Sequence, residues 1–167
     1  SGKGKTTILN LITGLLKPTK GKIFFGNFDH TEVDFERFRK KVGFVSQEST
    51  IFNGTIRDNL LFKVYNKSDP AKLEARLLSL LSRLNFGDFI GSLDYGLATR
   101  VGDNGAKLSG GQRQKILLAR ELMSQPSMLI LDEPISALDN EAQKAVIDAL
   151  RGYRGEMTII IITHQTN

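Results

Sequence analysis

Three short stretches of the chain hold residue types that could do chemistry. The first is Ser1-Gly2-Lys3-Gly4-Lys5-Thr6-Thr7. Gly4-Lys5-Thr6 supplies the last three positions of the phosphate-loop pattern G-x-x-x-x-G-K-[ST], whose first glycine would lie two residues before Ser1. Backbone N–H groups at a helix start point outward, and the positive end of the helix dipole favours an anion there. Glycines let the backbone come close to a phosphate. Lys5 would then reach the β- and γ-phosphates, and the Thr6 hydroxyl would ligate Mg²⁺. A Ser/Gly-rich start taken alone reads equally well as a tail or a remnant. Its meaning depends on the rest of the chain.

The second stretch is "LILDEP", residues 129–134. An aspartate at the end of an apolar strand, downstream of a phosphate loop, can hold Mg²⁺ through water, and Asp132 has that place. Glu133 beside it can take a proton from an attacking water. The third stretch is "LSGGQRQ", residues 108–114. Ser109 suits a helix N-cap. Gly110 and Gly111 are poor helix formers, so they need another reason to be there. Close approach of backbone to an anion at a helix start is such a reason.

These residues need elements to place them. Apolar residues Ile8, Leu9, Leu11, Ile12, Leu15 and Leu16 have helical spacing, and "KPTKG" is expected to stop that helix. "KIFF" and "KVGFVS" read as strands, with a helical turn over 34–40 between them. Residues 55–62, 69–84, 109–123 and 140–151 read as helices, while 86–105 reads as loop. "SMLILDE" and "TIIIIT" read as two buried parallel strands. Strands alternating with helices predict an α/β fold with a parallel sheet. In such sheets the chemistry lies beyond the carboxyl ends of the strands, where Asp132, Glu133 and His164 fall. The helix-rich stretch 53–123 interrupts the alternation and predicts a helical subdomain inserted into a core of 1–52 and 124–167.

Composition excludes several classes. The 167 residues fit one domain, 40% hydrophobic and 25% charged, as in ordinary soluble domains. No apolar run is long enough to span a bilayer, and no signal peptide is visible. There is no cysteine, hence no disulfide or thiolate metal site. The net charge of +5 gathers most strongly in "RFRKK", residues 37–41. That cluster is short and lacks interleaved aromatics, so a solvated helix end is expected and no nucleic-acid partner.

Together the motifs resemble the nucleotide-binding domain of ATP-binding cassette (ABC) proteins, over nearly the whole chain. "LSGGQ" is similar to that family's signature, "ILDEP" to its Walker B, "SALD" ending in Asp139 to its D-loop, "ITHQ" with His164 to its switch histidine, and "FVSQ" with Gln47 to its Q-loop. Ser1 to Thr7 then resembles the later part of a Walker A, with Lys3 where the family commonly has a small residue. "STIFNGTIRDNLLF" and "TRVGDNGAKLSGGQRQ" resemble exporter-type cassettes. The resemblance implies a P-loop NTPase fold with a mostly parallel central sheet, and ATP and Mg²⁺ as cofactors. It implies that Ser1, Gly2, Lys3, Gly4, Lys5, Thr6 and Thr7 hold phosphates. Ser109, Gly110, Gly111, Gln112 and Asp139 would meet ATP across a dimer of cassettes, homo- or heterodimeric. Thr6, Gln47 and Asp132 would organise the metal, Glu133 would act as general base, and His164 would contact the γ-phosphate. A transmembrane domain is the implied partner, on the cytoplasmic face of a membrane. The family has further strands before the Walker A and further elements after the switch histidine, so the chain is expected to be a fragment, with ATP binding weaker than in a complete domain. A non-transport cassette ATPase of DNA repair or translation is the alternative, and such proteins usually carry coiled coils, basic arms or a second cassette.

Overall fold

The computed structural model describes residues 4–46, 48–64, 69–132 and 140–162. They fall into two units, residues 1–42 and 43–167.

In the first unit α1 runs over Lys5–Ile12. It ends one turn earlier than its apolar spacing predicts. Thr13 is the C-cap and Gly14 follows at φ +69°. A side chain on Gly14 would strike the Phe35 ring, 2.3 Å from the nearest ring carbon. The glycine therefore both permits the left-handed helix end and makes room for the ring. Leu15 and Leu16 then lie beyond the helix, 64% and 44% exposed. Strands β1 (Phe24–Phe25) and β2 (Phe28–Asp29) form an antiparallel hairpin. The sequence reading had one longer strand there and missed the return strand. Asp29 caps a short 3₁₀ turn, with Glu32 reciprocating, and Asp34 caps α2 (Phe35–Arg39). Phe25, Phe35 and Phe38 pack edge to face at 5.2–5.9 Å, with the buried His30 ring against Phe35. Arg37, Arg39, Lys40 and Lys41 are exposed. The basic cluster is the solvated helix end expected of it.

The second unit carries β3 (Val42–Val45, all but its first residue), α3 (Ile56–Leu60), α4 (Pro70–Arg83), α5 (Gly87–Gly91), α6 (Gly110–Met123), β4 (Met128–Asp132), α7 (Asn140–Arg151) and β5 (Thr158–Ile162). β4 pairs in parallel with β5, from Met128 beside Thr158 to Asp132 beside Ile162, and β3 lies on the other side of β4. A helix between two parallel strands is the expected crossover. Leu129, Ile130 and Leu131 at the centre of β4 are wholly buried, which explains their unbroken apolar run.

β5 departs from the reading that made it a second buried strand. Among the described strands it lies at the edge of the three-stranded sheet, and its residues are half-buried or exposed, Ile161 being 44% exposed. An apolar run does not say whether both faces are covered. The stretch 86–105 also departs from loop. It holds α5 and two 3₁₀ turns, at Gly96–Ala98 and Asp103–Gly105. Burial of Phe86 and Phe89 organises this segment despite its glycines.

α3, α4 and α6 lie between β3 and β4 in the chain, and α6 packs on both α3 and α4. Their apolar stripes enter one core with the strands: Ile56, Leu77 and Ile116 meet the same cluster as Val45, Leu129 and Leu131. α4 and α6 each begin where a cap residue stands. The Asp69 carboxylate accepts from Lys72 N at 3.0 Å, with Pro70 in the first turn of α4.

Candidate nucleotide site

The start of α1 holds Gly4, Lys5, Thr6 and Thr7, the described part of the expected phosphate loop. Gly4 is its N-cap at φ +74°, a left-handed conformation that favours glycine. The N-cap glycine makes no side-chain cap, and the first turn of α1 holds no acid. Gly4 therefore offers no side-chain oxygen of its own to the first-turn N–H groups or to the positive helix end. The space where a Cβ on Gly4 would project is open within 4 Å. Thr6 and Thr7 are exposed and Lys5 is half-buried. A glycine-led helix start of this kind fits a polyphosphate. Ser1, Gly2 and Lys3 lie outside the described residues.

The second helix start is different. Ser109 caps α6: its Oγ accepts from Gln112 N at 3.1 Å, and Gln112 Oε1 accepts from Ser109 N at 2.9 Å. This reciprocal box accounts for a serine and a glutamine three residues apart without any ligand. It does not account for Gly110 and Gly111 between them. Ser109 and Gly110 are exposed, Gly111 and Gln112 half-exposed. The Ser109 hydroxyl still has its own proton to donate. Again the first turn holds no acid.

Asp132 closes β4, half-exposed, after three wholly buried residues. Among the described residues no three His, Asp or Glu side chains group as a metal site. A hydroxyl and a single carboxylate are hard oxygen donors of the kind Mg²⁺ takes when phosphate oxygens and water complete its shell. Lys5 and Thr6 belong to the first unit, and Asp132 and the α6 start to the second. Gln47, Glu133, Asp139 and His164 lie outside the described residues.

Sequence reasoning missed a polar network inside the second unit. Arg120 and Glu121 are 7% and 4% exposed on α6. Arg120 donates from Nη2 to Asn59 Oδ1 (2.7 Å), from Nη1 to the Thr50 carbonyl (2.8 Å) and from Nε to the Asn59 carbonyl (3.2 Å). Its guanidinium also lies over the rings of Phe52 and Phe62. Burial lowers its pKa, an effect that the nearby Glu121 charge opposes. Asn59 in turn accepts from Phe52 N and donates to the Phe52 and Thr55 carbonyls. Glu121 accepts from Phe44 N at 3.2 Å and from Lys63 Nζ at 2.7 Å. The network thus joins the helix that begins at Ser109 to β3 and to the segment 50–63. A signal was present: Arg120 is four residues after Ile116 and three before Met123, on the buried stripe of its helix.

The model of the ABC transporter family matches residues 1–136. An ATP-dependent lipid A-core flippase of Bordetella avium is 39% identical over 162 residues, which cover 96% of this chain and 27% of the flippase. A mycobactin import ATP-binding/permease protein of Mycolicibacterium smegmatis is 39% identical over 165 residues, 99% of this chain and 28% of that protein. The solved structure of a bacterial Atm1-family ABC exporter with ATP bound superposes with a TM-score of 0.85 at 33% identity, over 99% of this chain and 28% of that one. The chain therefore spans under a third of the length of each of these relatives. With the glycine-led start of α1, the Ser109 cap and Asp132 at the end of its buried strand, these matches show that the chain belongs to the ABC transporter family, as an ATP-binding domain homologous to those of exporters.

Proposed function

We propose that this chain binds Mg-ATP at the start of α1 and hydrolyses it across a dimer of cassettes, driving a transmembrane partner from the cytoplasmic face of a membrane. The observation that carries the reading is the acid-free start of α1 behind a left-handed Gly4. Lys5 and the backbone of residues 2–7 hold the phosphates. Thr6, Gln47 and Asp132 hold the metal and its water. Mg²⁺ neutralises charge on the phosphates. Glu133 takes a proton from the attacking water, and His164 contacts the γ-phosphate. Ser109, Gly110, Gly111 and Gln112 of the facing cassette, with Asp139, complete the pocket. Closure on ATP and reopening after hydrolysis shift the partner between two states. Support for an exporter-type partner comes from the flippase and the Atm1-family exporter. The mycobactin importer shows that a cassette this similar also serves uptake. Cargo and direction therefore belong to the membrane part.

Two variants test the shared site, Lys5→Ala and Ser109→Arg, each made in the complete protein. Each alone is inactive, because both sites of either homodimer are damaged. In an equimolar mixture, half the dimers are mixed and have one site with both residues intact. With independent sites, roughly a quarter of wild-type ATPase activity returns. Nucleotide trapping in the mixed dimers reads the intact site even if turnover needs both. Mixed dimers that form but neither hydrolyse nor trap ATP refute the proposal.

A further inference from the structure

A cavity lies in the second unit, at the end of the sheet remote from Asp132. It measures about 340 Å³ and opens between α4, the end of α6 and the turn leading into β5. Ser127 and Met157 line it, directly before β4 and β5. Asp132 is five residues beyond Ser127, roughly 16 Å at about 3.3 Å per residue. The cavity thus lies away from Asp132.

Two arginines dominate its wall. Arg76 and Arg83 are seven residues apart on α4, two turns along one face. Arg76 Nη1 donates to Gln125 Oε1 at 3.1 Å, while its Nε is buried without a hydrogen-bond partner. Gln125 follows the C-cap of α6 at φ +52°, a conformation where glycine or asparagine is usual. The hydrogen bond from Arg76 is what ties the Gln125 side chain to this wall. The Arg83 guanidinium lies 4.1 Å from the centre of the Tyr153 ring, and its Nη2 donates to the Gly152 carbonyl at 3.2 Å. Tyr153 is itself half-buried. Among the described residues neither arginine has an ion-pair partner. Glu156 is the only acid in the lining. Leu80, Leu122 and Met123 supply an apolar floor.

We propose that this cavity binds a small organic dianion, carboxylate or phosphate, on an apolar body. Its volume suits a compact molecule. Guanidinium groups recognise carboxylate and phosphate in a planar, two-pronged fashion. Arg83 is pre-oriented by its ring contact and Arg76 by Gln125, so little ordering remains at binding. The buried Nε of Arg76 gains its missing acceptor. Two charges on the ligand match two unpaired cations, and the apolar floor takes its body.

Arginine footprinting of the intact protein tests this, with terephthalate as the probe. Phenylglyoxal modification is mapped by mass spectrometry at Arg76 and Arg83, with the exposed Arg100 as reference. Terephthalate is expected to protect both arginines with one common half-point and to leave Arg100 reactive. Saturating Mg-ATP leaves that half-point unchanged. In Arg76→Gln, protection of Arg83 needs roughly tenfold more terephthalate or beyond, as for the loss of one charge-assisted pair. Arg83→Gln does the same to Arg76. No protection at about 10 mM probe overturns the proposal, since binding weaker than millimolar carries little specificity. So does equal protection by acetate at matched ionic strength, which is mere screening. Loss of protection with Mg-ATP also overturns it, because the cavity would then not bind independently of the nucleotide site.

Discussion

Arg120→Ala probes the buried network that sequence reasoning missed, and its effect can be worked from the structure. Two of the three hydrogen bonds lost are short, at 2.7 and 2.8 Å, with a charged donor. Each is worth about 1.5–2 kcal/mol. The third, at 3.2 Å, adds about 0.5 kcal/mol. Loss of the guanidinium from the Phe52 and Phe62 rings costs about 1 kcal/mol more. In the other direction, deletion removes a buried charge whose depressed pKa reports its desolvation. That relief is worth about 1–2 kcal/mol. The net expected loss is about 3 kcal/mol. For a chain of this length it lowers the thermal midpoint by about 6–12 °C. Arg120→Lys keeps the charge and loses the fork, so it should fall between, near 2 kcal/mol. Thermal and urea unfolding followed by circular dichroism measure both. Loss under about 0.5 kcal/mol in Arg120→Ala would refute the reasoning, because the guanidinium would then be only a tolerated buried charge.

Other outcomes follow from the same structure. Glu133→Gln should keep Mg-ATP binding and slow hydrolysis by about 10²–10⁴-fold, as for a lost general base; near-normal single-turnover rates would take Glu133 out of the proposed mechanism. Gly14→Ala should destabilise the first unit by about 1–3 kcal/mol, since it adds left-handed strain to a clash with Phe35; equal unfolding midpoints would show that the ring moves freely aside. The Glu74 carboxyl is held below its ordinary pKa by the hydrogen bond from Arg57. Its contribution is therefore fully present above the ordinary glutamate value and is lost as pH falls through the folded one. The pair is exposed, so the effect is small. Arg57→Ala should flatten the acid limb of a stability–pH curve slightly, and an unchanged limb would mean that the pair does not persist in solution.

Sequence alone determined most of what identifies this protein, because its determinants are local. A phosphate loop, a capped glycine pair and an acid at the end of an apolar strand are each written in a few consecutive residues, and their order along the chain is itself the family pattern. Helix starts were legible for the same reason: Ser109, Asp69, Asp34 and Thr55 each satisfy N–H groups two or three residues away. What tertiary structure decided depends on neighbours distant in sequence. Apolar spacing carried α1 through Leu16, but the ring of Phe35 and the turn at Gly14 end it at Ile12. Two apolar runs of similar length became a buried strand and an edge strand, because among the described strands β4 lies between two and β5 beside one. Glycines in 87–91 suggested loop, yet burial of Phe86 and Phe89 holds a helical turn there. Spacing puts Arg120 on the buried stripe of its helix, but only the fold brings Asn59 and Thr50 to it and Phe44 and Lys63 to Glu121. The same holds for Arg76 and Arg83, an ordinary solvated pair on a helix until the fold sets Gln125 and Tyr153 against them. A side chain's own type and spacing predict which face of an element it takes, and only the packed chain supplies the partners that make a buried charge stable or a cavity selective.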